Sequence, residues 1–243
     1  MPHRQSGATL GAMIRLLALL LLLPSAAMAE ERRVALGSFE RVRINGAFEV
    51  TITTGSPGAT VIGDRGVIGD IDLRAEGTTL TVRQTSTGRW GEQRQATARV
   101  PVRILLATPR LSGITVNGGS KVTVARLVGS RVDLSAAGTG TIEVAAVQAD
   151  QLIVQLAGDG RIGLAGRATA MRLVASGAGT IDAAGLEAND LDLHLDGPGT
   201  VRARARYTAL VASSGLGAVT VTGRPKCRVI AAAGAPVTCG AGE

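Results

Sequence analysis

Several sets of residues in this sequence have the types and spacing from which reactive or ligand-binding sites are built. The stretch "LAGDGRIGLAG" (Leu156 to Gly166) holds a G-x-G-x-x-G at Gly158, Gly160 and Gly163, with Asp182 following about twenty positions later. That is the wording of a dinucleotide fingerprint: glycines for a tight turn and close approach to a pyrophosphate, an acid for the ribose. The stretch "NDLDLHLDGPG" sets Asp190, Asp192, His194 and Asp196 on one side of an alternating segment, an arrangement open to acid–base or metal chemistry. Glu143 and Asp182 could form the carboxylate pair of a glycan-cleaving site, which needs about 5–9 Å between them. Between Arg83 and Arg110 lie six arginines (Arg83, Arg89, Arg94, Arg99, Arg103, Arg110) against one acid, Glu92, with Trp90 among them. Guanidinium groups fork onto phosphate or carboxylate and an indole offers a face to a sugar. Cys227 and Cys239 are the two cysteines.

Each constellation depends on the element that positions it. From Asn117 the chain repeats: "NGGSKVTV", "AGTGTIEV", "AGDGRIGL", "SGAGTIDA", "DGPGTVRA", "SGLGAVTV" and a degraded "AGAPVT". Their first glycines, Gly118, Gly138, Gly158, Gly177, Gly197, Gly215 and Gly234, are spaced by 20, 20, 19, 20, 18 and 19 residues. Four positions before the glycine stand Ile114, Leu134, Val154, Leu173, Leu193, Val211 and Ile230. Four after it stand Val122, Ile142, Ile162, Ile181, Val201 and Val219, and six after it Val124, Val144, Leu164, Ala183, Ala203 and Val221. Polar or small residues alternate with these, the period of half-buried strands. The frequent glycines and β-branched apolar positions disfavour helices, and a repeat this short leaves no room for a crossover helix. The expected fold is all-β, a right-handed parallel β-helix or β-solenoid with 18–20-residue coils stacked about 4.8 Å apart. The glycines mark a corner that needs positive φ or close approach to the next coil.

This architecture disposes of the nucleotide reading. A pyrophosphate site needs a helix N-terminus after the glycines, whereas "RIGLAGRATAMRLVASG" reads as strand, turn and strand. Thr123, Glu143, Asp182, Arg202 and Thr220 replace Gly163 in other copies, so the third glycine is incidental. No cofactor is expected. Nor does an aspartate recur where a calcium-binding β-roll places one. His194 lies between Val174 and Ala212 in the stack, which supply no metal ligand, and a solvated polar face is the simpler reading of its segment. Glu143 and Asp182 fall two coils apart, about 9.6 Å, with Arg202 placed to pair with Asp182.

Upstream, residues 34–110 are less regular. "FERVRINGAFEVTITTG" reads as two alternating strands about the turn signal Asn45-Gly46, and "DIDLRAEGTTLTVRQ" as a hairpin about Glu76-Gly77. Residues 84–99 form a basic polar loop carrying the candidate ligand-binding residues Arg89, Trp90, Arg94 and Arg99; the competing reading has the arginines lining a strand's solvent face and Trp90 packed beneath its loop. Residues 111–240 are the regular coils.

The chain opens with Arg4 and Arg15, an apolar run from Leu16 to Leu23 and Ala27-Met28-Ala29, the pattern of a secretory signal peptide over residues 1–29. The run is too short to span a bilayer, where about 20 residues are needed. Residues 30–243 then form one solenoid domain outside the cytoplasm, periplasmic or secreted to the cell surface, with no later membrane span. Taking Arg4 and Arg15 from 26 basic residues leaves 24 against 19 acids, a mature charge of +5, equal to that of the Arg83–Arg110 segment alone. In an oxidising compartment Cys227 and Cys239 are expected to pair, closing a short loop worth roughly 3 kcal/mol. With Phe39, Phe48, Trp90 and Tyr207 as the only aromatic residues of that domain, platforms for stacked nucleic-acid bases are missing.

The combination of "FERVRINGAFEVTITTG", "GTTLTV", "TPRLSGITVNGGSKVTV" and recurring G-x-G coils resembles the putative auto-transporter adhesin head domain family, also called the GIN domain. The resemblance spans about Val34 to Cys239, although Ile44-Asn45-Gly46 stands where the family's name would place Gly-Ile-Asn. It implies an extracytoplasmic β-solenoid with an adhesive role and brings no catalytic residues. The expected function is therefore a non-catalytic, adhesin-like or envelope-associated binding module. Its partners would be an anionic envelope glycan, lipopolysaccharide or another envelope protein, with end-to-end self-association through the terminal coils as a further expectation. The alternative is a polysaccharide lyase or hydrolase using carboxylates on one solenoid face.

Overall fold

The computed structural model describes residues 30–85, 101–232 and 234–241. In chain order the elements are β1 (Glu30–Ala35), β2 (Arg41–Asn45), β3 (Glu49–Thr54), β4 (Gly58–Gly63), a short α1 (Arg65–Ile68), β5 (Ile71–Glu76), β6 (Thr79–Gln84), β7 (Arg103–Thr108), β8 (Gly113–Asn117) and β9 (Lys121–Val124). Long strands that bend round the coil follow: β10 (Leu127–Ala137), β11 (Thr141–Ala157), β12 (Arg161–Ser176), β13 (Thr180–Asp196) and β14 (Thr200–Ser213). The chain ends with β15 (Ala218–Gly223), β16 (Lys226–Ala231) and β17 (Val237–Ala241).

These strands wind as a β-solenoid. On a first face, preceding each glycine corner, β6, β2, β8, the later halves of β10 to β14, and β16 stack in parallel. On a second face, following the corner, β7, β3, β9, the early parts of β11 to β14, β15 and β17 do the same. The start of β10 and the middle segments of β11 to β14 close a third face.

The aliphatic rows fill the bore. Ile114, Leu134, Val154, Leu173, Leu193 and Val211 stack in register and are buried, as are Val122, Ile142, Ile162, Ile181, Val201 and Val219. The first row departs from the expected spacing in its last member. Val211 pairs with Val229, and Ile230 points outward, stacked on Ala212. The degraded last copy has slipped by one residue relative to its glycine, and a β-carbon on Gly234, unlike one on the other corner glycines, would meet no atom within 4 Å.

The corner ladder itself is tight. Gly118, Gly138, Gly158, Gly177 and Gly197 have φ of 112°, 107°, 109°, 105° and 112°, a region that residues with a side chain enter only under strain. A β-carbon on Gly158 would come 2.8 Å from the carbonyl oxygen of Gly138, and one on Gly177 2.7 Å from that of Gly158. Gly46 belongs to the same ladder, so Asn45-Gly46 is a solenoid corner. β2 and β3 do not pair with each other; each pairs in parallel with strands of the adjoining coils. The hairpin about Glu76-Gly77 is present, with β5 and β6 antiparallel.

Chain order and stacking order differ at the N-terminal end. The β2–β3 coil lies between the β6–β7 coil and the β8–β9 coil, so the chain moves outward, forms the outer coil, and steps back over the first one. Buried Ser120 fastens this return: its hydroxyl donates to the Gly46 carbonyl (3.0 Å) and accepts from the Phe48 amide (3.1 Å). Antiparallel β1, β4 and β5, with Ile68 and Ile71 buried beneath them, cover this end of the bore.

At the opposite end Cys227 and Cys239 are joined, their α-carbons 6.3 Å apart. Cys227 continues the inward column of Leu191 and Ala209, and Cys239 that of Ala203 and Val221. The disulfide thus ties two faces of the last coil where earlier coils use aliphatic packing. Stacked coils contact only their neighbours, so reduction is expected to loosen this coil alone. Hydrogen exchange should accelerate across residues 226–241 and stay unchanged before about residue 195.

Candidate functional site

The geometry first decides what the sequence constellations do. Backbone amides at the glycine corner are engaged by the neighbouring coils: Gly158 donates to Ser176 O (2.8 Å), Asp159 to Gly138 O (3.1 Å) and Arg161 to Gly140 O (2.9 Å). β12 begins at Arg161, immediately after Gly160, so no helix N-terminus stands there to receive a pyrophosphate.

On the first face, His194 Nδ1 lies 3.3 Å from Asp192 Oδ1, and Arg172 Nε lies 3.8 Å from Asp192 Oδ2. Asp190 accepts from the Thr208 hydroxyl (2.6 Å) and Asp196 from that of Ser214 (3.0 Å). These groups form rungs with adjacent coils along a solvated face. Among the described residues no three His, Cys, Asp or Glu side chains converge as metal ligands.

On the second face Gly163 separates Glu143 from Asp182 in the stack. The Glu143 carboxylate folds over Gly163, where a side chain would otherwise stand, beside a shallow notch of about 540 Å³. Asp182 is held by Arg202 (3.5 Å), as its placement in the repeat predicted, and also accepts from the Ala184 amide (3.2 Å). Both acids lie on one flat sheet face.

The basic segment divides. Arg89, Trp90, Arg94 and Arg99 lie outside the described residues. Arg83 pairs with Asp72 (2.9 Å) and Arg103 with Glu49 (3.1 Å), each on the solvent side of a strand. Arg110 is different. It is exposed and joins a groove of about 880 Å³ that runs along the third face across successive coils.

This groove brings together arginines that are far apart in sequence: Arg110, Arg167, Arg204 and Arg206. Gln148, Arg167, Glu187 and Arg204 are stacking partners on consecutive coils, so their side chains share one outward column. Glu187 faces Arg204 at 3.9 Å, and Arg206 lies against the Tyr207 ring, 5.0 Å from its centroid. Arg110 and Arg167 have no acidic partner among the described residues. Ser130, Asp150, Thr169 and Asn189 complete the polar lining. Such a groove can accept an anionic chain laid along the solenoid axis, with the guanidinium forks of Arg167 and Arg204 two coils apart.

Sequence alignment on the glycines missed this column for a geometric reason. Repeats of 18 and 19 residues lose their residues on the third face, where the pairing register shifts between Val144 and Val147, Gly163 and Ala165, and Ala183 and Glu187. Arg167, Glu187 and Arg204 therefore sit nine, ten and seven positions after their corner glycines and share no fixed offset. The signal available was the opposite one: the part of each repeat where the spacing fails.

The family model described as "Putative auto-transporter adhesin, head GIN domain" matches residues 38–225. The chain belongs to this GIN-domain family. Solved structures similar to this GIN domain include a putative adhesin from Bacteroides fragilis, at TM-score 0.75 and 20% identity, covering 88% of this chain and 95% of that one. A putative lipid binding protein from Parabacteroides distasonis aligns at TM-score 0.66 and 16% identity, over 90% and 96% of the two chains. A putative adhesin from Parabacteroides merdae aligns at 0.64 and 14%, over 90% and 95%. At these identities the likeness concerns the fold. Among curated proteins none matches the sequence.

Proposed function

We propose that this GIN domain is a non-catalytic, adhesin-like binding module outside the cytoplasm, and that its third-face groove holds an anionic envelope glycan or lipopolysaccharide. The four arginines gathered in that groove carry the reading. They set four guanidinium groups, those of Arg110, Arg167, Arg204 and Arg206, on a rigid scaffold, with Arg110 and Arg167 uncommitted to any acid among the described residues. The adhesin-head family and the Cys227–Cys239 disulfide support an extracytoplasmic setting, because such bonds persist in oxidising compartments. The signal-peptide pattern of residues 1–29 supports the same location. The candidate residues Arg89, Trp90, Arg94 and Arg99 precede Arg110 in the sequence and add four further side chains, three of them cationic, to test.

The test is retention of the purified protein on immobilised acidic polysaccharide and on lipopolysaccharide, each against a neutral glycan. Arg110→Ala combined with Arg167→Ala is expected to weaken binding to the anionic polymers by about tenfold or more, the scale of losing charge-assisted hydrogen bonds. Rising salt should weaken it further. Unchanged retention in that variant would remove the groove from the site and leave the residue 84–99 loop as the contact, tested by Arg89→Ala with Trp90→Ala. Release of new reducing or unsaturated sugar ends would favour the carboxylate enzyme, with Glu143→Gln as its diagnostic variant.

A further inference from the structure

The two ends of the solenoid are finished differently. The N-terminal end is covered by antiparallel strands and the carboxylates of β1 and β5 are paired: Glu30 with Arg65, Glu31 with Arg33, Asp72 with Arg83, Glu76 with Arg74. At the C-terminal end β16 pairs on one side with β14, and nothing among the described residues pairs with its other edge. Its inward Val229 is 43% exposed, although the stacked Val211 is fully buried, and outward Ile230 is 52% exposed.

The charge of this end is one-sided. From Gly197 to Ala241 the sequence has six basic residues (Arg202, Arg204, Arg206, Arg224, Lys226 and Arg228) and no Asp or Glu. Arg202 and Arg204 reach back to Asp182 and Glu187 on the preceding coil. Arg224, Lys226 and Arg228 have no acidic partner among the described residues, and Lys226 and Arg228 alternate with inward Cys227 and Val229 along β16.

We infer that the outer edge of β16 is a docking edge for an acidic, extended segment of another polypeptide, which adds one more strand to the first face. An unpaired strand edge supplies main-chain donors and acceptors for such an addition. On the incoming strand, apolar side chains at alternate positions would cover Val229 and the end of the bore. Carboxylates at the intervening positions would meet Lys226 and Arg228. A second copy of this chain fits poorly: joining two C-terminal ends opposes like charges, and the carboxylates of β1 and β5 at the other end already face arginines. This inference does not depend on the groove.

The experiment uses a labelled peptide of about eight residues alternating Glu with Val, and a Lys–Val peptide as its charge-reversed control, with the mature protein. Fluorescence anisotropy measures binding and hydrogen exchange locates it. The Glu–Val peptide is expected to bind about tenfold or more tightly than the Lys–Val peptide and to protect amides of Lys226–Ala231. Lys226→Glu with Arg228→Glu should reverse that preference, while Arg110→Ala with Arg167→Ala should leave it unchanged. The inference is overturned if neither peptide binds, if both bind alike, or if protection falls elsewhere. It is also overturned if light scattering shows the protein associating with itself in a way the charge reversal abolishes, since the occupant would then be a second copy.

Discussion

Gly158→Ala is expected to lower the stability of the central coils by about 2–4 kcal/mol, while Gly163→Ala, five residues on, costs less than about 1 kcal/mol. Both belong to the same G-x-G-x-x-G stretch, yet the structure assigns them different physics. Gly158 has φ of 109°, which a residue with a side chain adopts only under strain, and its added methyl would meet the backbone oxygen of Gly138 at 2.8 Å. Relief would require the two coils to separate, disturbing the ladder on both sides. At Gly163 the added methyl meets the flexible end of the Glu143 side chain, which can swing into solvent. Replacing a strand glycine also removes conformational freedom from the unfolded chain, an offsetting gain. Hydrogen exchange of β11 and β12, with urea unfolding of both variants, checks the contrast. Equal losses at the two sites would mean that the corner is not what limits the stack.

The second large effect lies in the bore. Leu193→Ala is expected to cost about 2–5 kcal/mol, because the cavity opens between Leu173 and Val211 in a closely packed row. Leu193 is fully buried. Val229→Ala, in that same row one coil beyond Val211, should cost less than about 1 kcal/mol, since a side chain already 43% exposed gives up little burial. The difference between two truncations in one column measures how the solenoid's stability declines toward its open end. Thermal and chemical unfolding of both variants supplies it, and similar values would show that β16 is covered in solution.

The regular coils were legible because one residue type, glycine, is demanded at one place by both backbone conformation and contact with the next coil. Once those glycines are aligned, buried columns appear at fixed offsets, and even the Asp182–Arg202 pair is predictable. Legibility failed where that demand is relaxed. In the first coils Phe48 and Ser120 stand two residues past the corner glycine, where later copies have Gly140 and Gly160, so Asn45-Gly46 read as an isolated turn. In the last copy the one-residue slip put Ile230 in a place that belongs to Val229. The arginine groove was hidden by register shifts on the third face. The basic C-terminal end was hidden by summation: over residues 30–243 the charges outside Arg83–Arg110 cancel, yet residues 197–243 carry six bases against Glu243 alone.

The stepping of the chain over its own first coil bears on how the protein comes to be folded. Asn45 hydrogen-bonds to Asn117 and Phe48 to Ser120, partners separated by 72 residues. A polypeptide leaving the ribosome amino-terminus first cannot wind this structure turn by turn from its beginning, because the earliest turn is flanked on both sides by segments made later. The slow event is therefore expected to be closure of one large loop, where paired residues lie farthest apart in sequence. Each later turn then adds about twenty residues to a template already in place. Lesions within residues 41–124 should accordingly retard refolding, whereas lesions beyond residue 200 should chiefly hasten unfolding.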